Sequence, residues 1–249
     1  NETIFELTRI PSSLAILGGG PIGCELGQAL ARLGIAVTLI QRGDRLLPRE
    51  DPAVAAIVQA ALEQDGVTVL TGTEVVQVHR GSQDFSTGQG DRDPREALPK
   101  VLVLNDGRSI SVAEILVATG RQPNVQGLAL EAAGITYDDR AGVAVNDYLQ
   151  TTNPQVWAIG DVIAPPHGRP VQFTHAADAM ARLALKNALF APFGLGRSRL
   201  SALTIPWTTY TDPEVARVGL SPTEAIAQGL AVRSITIDLA DLDRSPVSY

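Results

Sequence analysis

The sequence predicts an α/β protein, and three features of its patterning lead there. Short, wholly apolar runs alternate with stretches of helical period from Leu14 to Leu70. A glycine-rich turn, GGGPIG (18–23), joins the first apolar run to the first helical stretch. After Thr73 the pattern changes to two-residue alternation, the mark of antiparallel strands.

The elements follow in order. Residues 1–13, NETIFELTRIPSS, lack an amphipathic period and read as a lead-in from a preceding segment. LAIL (14–17) has the composition of a parallel strand buried on both faces. CELGQALARLG carries helical spacing, with Leu26, Leu30 and Leu33 on one side and Gly34 as its stop. AVTLI (36–40) is the next buried strand. Asp51 and Pro52 suit the N-cap and first turn of a helix that ends at Gly66, and VTVL (67–70) is a third strand. Strand, helix, strand, helix, strand with a glycine turn after the first strand makes a right-handed, Rossmann-like βαβ dinucleotide-binding domain.

An antiparallel insert is expected next. EVVQVHR, KVLVLND and SISVAEILVAT alternate, NDG (105–107) suits a hairpin turn, and the polar stretch GSQDFSTGQGDRDPREALP reads as an exposed loop. The dinucleotide-binding domain is bounded at 14–125. Residues 126–198 form a second piece, with a strand at VWAI (156–159) and a helix from about Thr174 to Phe190. A third, 199–249, opens an α+β unit whose last visible strand lies in VRSITIDLADLD. One strand and one short helix bury no core, so the sequence reads as cut at both ends.

Composition excludes several classes. The 249 residues carry 20 basic and 27 acidic side chains, a net charge of −7, so no broad basic face invites nucleic acid. No apolar run approaches the ~20 residues of a membrane span, and a cytoplasmic location is expected. One cysteine forms no internal disulfide and no cysteine-based metal site. His79, His167 and His175 lack metal-ligand spacing, and no G-x-S-x-G elbow is present, so neither a metal centre nor a hydrolase is expected.

The turn Gly18-x-Gly20-Pro21-Ile22-Gly23 has the spacing of a phosphate cradle. Gly18 permits the tight turn, Gly20 lets a pyrophosphate approach the backbone, and Gly23 lets helix and strand pack closely. The helix start adds free N–H groups and a partial positive charge. At the end of the second strand, where NAD-binding units place an acid, this sequence has Gln41, followed by Arg42 and Arg45. A neutral Gln41 does not repel a 2′-phosphate and two arginines can pair with one, which favours NADPH; NADH stays open. Two observations weigh the other way. Both arginines can be ordinary surface charges, and Gly23 is often alanine in NADP-binding units. Cys24 has two readings, a thiol activated by the helix start or a small packing group, and without a partner cysteine the packing role is expected.

ATGRQPN (118–124) and TTNPQVWAIGDV (151–162) make the pattern specific. Together with GGGPIGCELGQALARLG and YTDPEVARVGL they resemble the pyridine nucleotide–disulfide oxidoreductases, over nearly the whole chain. The likeness is strongest to mercuric-reductase-like and dihydrolipoamide-dehydrogenase-like members. It implies that residues 1–13 end an FAD segment, 14–125 bind NAD(P), 126–198 return to the FAD domain, and 199–249 begin the interface domain of a homodimer.

The same resemblance implies roles for single residues. Asp161 matches the aspartate that bonds the FAD ribityl chain, and Arg121 an arginine near the FAD. Phe173, Thr174 and His175 lie at a helix start that faces the flavin, with Thr174 as its N-cap; His175 alone reads as a packing or surface residue. Val75 and Gly120 match contacts to the nicotinamide nucleotide. Glu25 matches a glutamate near the nicotinamide, against the plainer reading of a solvated first-turn carboxylate. The implied reaction passes hydride from NADPH through FAD to a cysteine pair and then to a disulfide or metal-ion substrate. That pair and an acid/base His–Glu pair are expected outside these residues, so no catalytic residue is assigned within them. The alternatives are a dihydrolipoamide-dehydrogenase-like NAD enzyme, a flavoprotein NADH dehydrogenase without the disulfide, and a truncated, non-catalytic nucleotide-binding module.

Overall fold

A computed structural model describes residues 3–81, 98–166 and 171–238. Four parallel strands form its central sheet. β1 (Ser13–Leu17) leads through the glycine turn into α1 (Pro21–Arg32), and β2 (Ala36–Ile40) pairs with β1 in parallel. α2 (Pro52–Gln64) and β3 (Thr68–Leu70) continue the unit, with β3 beside β2. The Asp51 carboxylate accepts from the Ala53 amide at 2.9 Å, the cap expected there. Gly34 and Gly66, at φ of +89° and +87°, end the two helices as anticipated.

The insert is β4 (Val75–Arg80), β5 (Lys100–Leu104) and β6 (Ser109–Val112), all antiparallel, with Asn105–Gly107 turning β5 into β6. The loop expected at 81–99 lies mostly outside the described residues. SISVAEILVAT departs from expectation, because it is two strands and not one. β7 (Glu114–Val117) leaves the insert and pairs in parallel with β1, giving the order β3-β2-β1-β7. Ala113 is the switch point. Its amide donates to Ser13 Oγ at 3.0 Å, and its carbonyl accepts from Lys100 Nζ at 2.7 Å. Side chains therefore satisfy the backbone where neither ladder does.

A second small sheet follows. β8 (Tyr137–Asp138) and β9 (Gly142–Ala144) are antiparallel, and β10 (Ile163–Ala164) joins β9 in parallel. VWAI forms no strand; Trp157 makes a single bridge to Gln150, and a 3-10 turn at Gly160–Val162 follows. α3 (Thr174–Leu189) packs over this layer, burying Ala176, Met180 and Leu183 with Val143, Leu149 and Ile163. β11 (Trp207–Thr209), β12 (Val215–Arg217) and α4 (Pro222–Ala227) close the described chain. Residues 232–238 have no strand pairing, contrary to expectation, and the rest of that stretch lies outside the described residues. Among the described residues no helix is long and apolar enough to cross a membrane.

The buried face of α1 is also not the expected one. Gly23, Cys24, Gly27 and Gln28 face inward, while Leu33 is 66% exposed. Small residues let the helix lie close on the sheet: a Cβ on Gly27 would touch Ile16 Cδ1 at 3.4 Å. Proximity to the sheet, rather than a leucine stripe, sets the helix rotation.

Candidate functional site

The glycine turn is shaped by three different constraints. Gly18 has φ +111°, and a Cβ there would lie 2.5 Å from the Ala118 carbonyl oxygen at the end of β7. A Cβ on Gly23 would lie 1.9 Å from the Gly18 carbonyl, so helix start and strand end are in direct contact. Gly20 meets nothing within 4 Å and opens outward. Tight turn, open approach and close packing thus fall on the three glycines in that order. Pro21 and Ile22 form the first residues of α1, and Gly20, its N-cap, makes no side-chain cap. The first turn of α1 thus leaves N–H groups without a side-chain cap beside the open turn.

Gln41 is more closely tied to the turn than its sequence position suggests. Its Oε1 accepts from the Gly19 amide at 2.9 Å, so the residue at the end of β2 braces the cradle. Arg42 extends outward, 82% exposed, with Nη1 3.8 Å from Glu74 Oε1. Arg45 turns back, donating from Nη2 to the Pro48 carbonyl at 3.3 Å. The two arginines are therefore unequal, Arg42 extended and Arg45 folded onto its own loop.

Cys24 is fully buried behind the cradle, with Sγ 3.6 Å from the Gly19 carbonyl. Burial, helped by the nearby Glu25 charge, pushes its thiol up to about 12. A neutral thiol in a closed space is a packing group, as expected from the missing partner.

Residues 118–121 carry the chain from the cradle to a second concavity, of about 500 Å³, at the start of α3. Arg121, Asp161, Phe173 and Thr174 line it. Arg121 Nη1 donates to the Gln172 carbonyl at 2.7 Å and lies 3.5 Å from Asp161 Oδ2. An adjoining hollow of about 250 Å³ shares Arg121 and Asp161 and adds Gly120, Arg49 and Arg140. Three guanidinium groups against one carboxylate suit anionic oxygens. Arg49, Arg140 and Gln172 escaped the sequence reading because they converge from three distant stretches and belong to no motif.

Thr174 is the first residue of α3 rather than its N-cap. Phe173 holds the cap position with extended backbone (φ −130°, ψ 146°) and provides no side-chain cap. Its ring stacks on His175 at 5.4 Å and on Trp207 at 6.5 Å, which turns Phe173 toward those rings. His175 Nε2 donates to the Pro206 carbonyl at 2.6 Å and is thereby a docking residue. The contrast among helices is informative. α2 and α4 carry side-chain caps from Asp51 and Ser221, whereas α1 and α3, which start at the cradle and at the 500 Å³ concavity, carry none.

Two expected residues lie apart from these concavities. Val75 begins β4 and packs on the apolar cluster of Ala15, Ile40 and Leu104. Glu25 is engaged by the last segment, its Oε1 accepting from the Tyr210 amide at 2.9 Å. One and two turns further along α1 the same segment is held again. Gln28, 3% exposed, donates to Asp65 Oδ2 and the Asp212 carbonyl and accepts from the Asp212 amide. Arg32 pairs with Asp65 at 2.9 Å and Asp212 at 2.8 Å. Trp207 Nε1 donates to the buried Glu50 at 2.8 Å while Arg217 lies over its indole.

The family described as pyridine nucleotide-disulphide oxidoreductase matches residues 1–181, and its dimerisation domain matches residues 205–248. The chain is 32% identical to a mercuric reductase of Staphylococcus aureus, over 100% of its own length and 42% of the relative's. It is 38% identical to a dihydrolipoyl dehydrogenase of Thermus scotoductus, over 93% of its length and 47% of the relative's. The HOCl-induced flavoprotein disulfide reductase RclA of Escherichia coli superposes with a TM-score of 0.78 at 26% identity, over 97% of this chain and 50% of RclA. The chain spans less than half the length of these curated relatives.

Proposed function

Because the chain belongs to the pyridine nucleotide-disulphide oxidoreductase family, we propose that it is the NADPH-binding and part of the FAD-binding region of a flavoenzyme that reduces a metal ion or a disulfide. The observation that carries the reading is that α1 and α3 begin without side-chain caps, α1 at the glycine turn and α3 at the 500 Å³ concavity. Their free N–H groups suit phosphate at one and developing negative charge at the other.

Within that reading the residues divide the work. Gly18, Gly20 and Gly23, with Pro21 and Ile22 at the helix start, admit the pyrophosphate of the pyridine nucleotide, and Gln41 holds their turn in shape. Arg42 supplies the cation for a 2′-phosphate, with Arg45 behind it. Asp161 accepts from hydroxyl groups of the flavin side chain, Arg121 orients that carboxylate, and Gly120 leaves room beside it. Phe173, Thr174 and His175 set the start of α3 against the flavin. When bound, the nicotinamide and the flavin supply the hydride chemistry. A thiol pair for the onward transfer lies outside these 249 residues, whose single cysteine is the buried Cys24.

The mercuric reductase likeness supports a metal-ion substrate, and the match to a dimerisation domain supports a homodimer. The Thermus relative favours a second reading, a dihydrolipoamide substrate with NAD. The test uses the intact protein, comparing NADPH and NADH oxidation with mercuric ion, a small disulfide and lipoamide. The expected result is a yellow protein that prefers NADPH and mercuric ion, and an Asp161→Ala variant that loses most of its flavin. Unchanged flavin content in that variant would remove Asp161 from the site.

A further inference from the structure

We infer that Met180 is a positioning residue for the proposed flavin pocket, holding through its sulfur the turn that presents Asp161. Met180 is the chain's one methionine and is 3% exposed on α3. Its Sδ accepts from the Gly160 amide at 3.3 Å. Gly160 opens the 3-10 turn Gly160–Val162 and immediately precedes Asp161.

The backbone at that point has little freedom. Gly160 is buried at φ +72°, and a Cβ on it would come 3.2 Å from Ala177 Cβ on α3. A glycine pressed against a helix in this way has a buried N–H, and a buried N–H without an acceptor is costly. A thioether is a weak but polarizable acceptor that also fills apolar space. Met180 therefore packs in the core with Leu183 and Ile163 and anchors the turn in one side chain. A leucine there would fill the volume and leave the amide unpaired. The turn would then lose the contact that sets the height of Asp161 opposite Arg121, 3.5 Å away. The inference rests on the reading that this concavity takes FAD, and it assigns Met180 a role separate from any contact with it.

Two variants of the intact protein, Met180→Leu and Met180→Gln, test it by two measurements. One is hydrogen exchange at the Gly160 amide; the other is FAD affinity of the flavin-free protein by titration. In Met180→Leu, exchange at Gly160 should accelerate at least tenfold. FAD affinity should fall about fivefold, the equivalent of one net hydrogen bond, with the melting temperature of the flavin-free protein lowered by only a few degrees. Met180→Gln restores an acceptor and should recover both readouts. Slow Gly160 exchange in Met180→Leu overturns the inference, whatever happens to FAD, and so does unchanged FAD affinity. A wild-type protein that takes up no FAD overturns the flavin reading instead, and Gly160 exchange then decides the sulfur contact alone.

Discussion

The side-chain oxygen of Gln41 and the amide of Gly19 are joined across the mouth of the cradle at 2.9 Å. In the proposed reading, the residue placed to read the ribose also braces the phosphate turn, and affinity and nucleotide choice are coupled at one side chain.

Gln41 substitutions should separate those two roles. Gln41→Leu removes the brace and should weaken NADPH and NADH alike, by about fivefold. Gln41→Glu keeps an acceptor for Gly19 but sets a carboxylate against a 2′-phosphate, so NADPH should weaken by tenfold or more while NADH does not. Fluorescence titration of both nucleotides checks this; parallel losses in Gln41→Glu would refute the division of labour.

Arg42 and Glu74 offer a finer control. At 3.8 Å and largely exposed, their pair contributes little to stability. Glu74→Gln should release Arg42 and tighten NADPH about two- to threefold at low salt, an effect screened by about 0.5 M salt. Arg42→Glu should weaken NADPH more than NADH. Equal losses of the two nucleotides in Arg42→Glu would assign Arg42 to the ordinary surface.

Gln28 is the buried polar residue on which the last segment hangs. Gln28→Ala leaves the Asp212 amide and carbonyl without their partner and should cost about 2 kcal/mol. Gln28→Glu, which sets a carboxylate against Asp65, should lower the melting temperature further. Denaturant unfolding measures both, and a neutral Gln28→Ala would mean that water replaces these bonds at no cost.

Cys24 should resist thiol reagents. With the folded thiol pushed up to about 12 by burial, against an ordinary value of 9.0, the unfolded chain ionises first as pH rises. The sign is therefore a stability complete below pH 9 and lost between about 9 and 12. Alkylation at pH 8 should be slow in buffer and fast in urea; rapid labelling of the folded protein would contradict the closed site.

What the sequence revealed depended on whether a local rule was at stake. The glycine turn was legible because Gly18 and Gly23 each answer a backbone requirement within a six-residue span, while Gly20 sits in open space. The cap at Asp51 and the stops at Gly34 and Gly66 were legible for the same reason. The rotation of α1 was not, because a close approach to the sheet selected Gly23, Gly27 and Gln28 over Leu33. The division of SISVAEILVAT at Ala113 depends on Ser13 and Lys100, which no local pattern pairs with it. At VWAI the β-prone side chains pack under α3, and only Trp157 bridges a neighbouring segment. Glu25, Gln28 and Arg32 meet Tyr210 and Asp212 across 180 residues or more, a distance over which periodicity says nothing.

That long-range ladder changes what counts as one moving part. α1 bears the cradle at its start and grips residues 210–212 along its length, while Trp207 is fastened to Glu50. Residues 207–217 follow 126–198 along the chain yet are bolted to α1 and to Glu50. In the proposed reading, a hinge that swings the nucleotide cradle must carry that later segment as ballast.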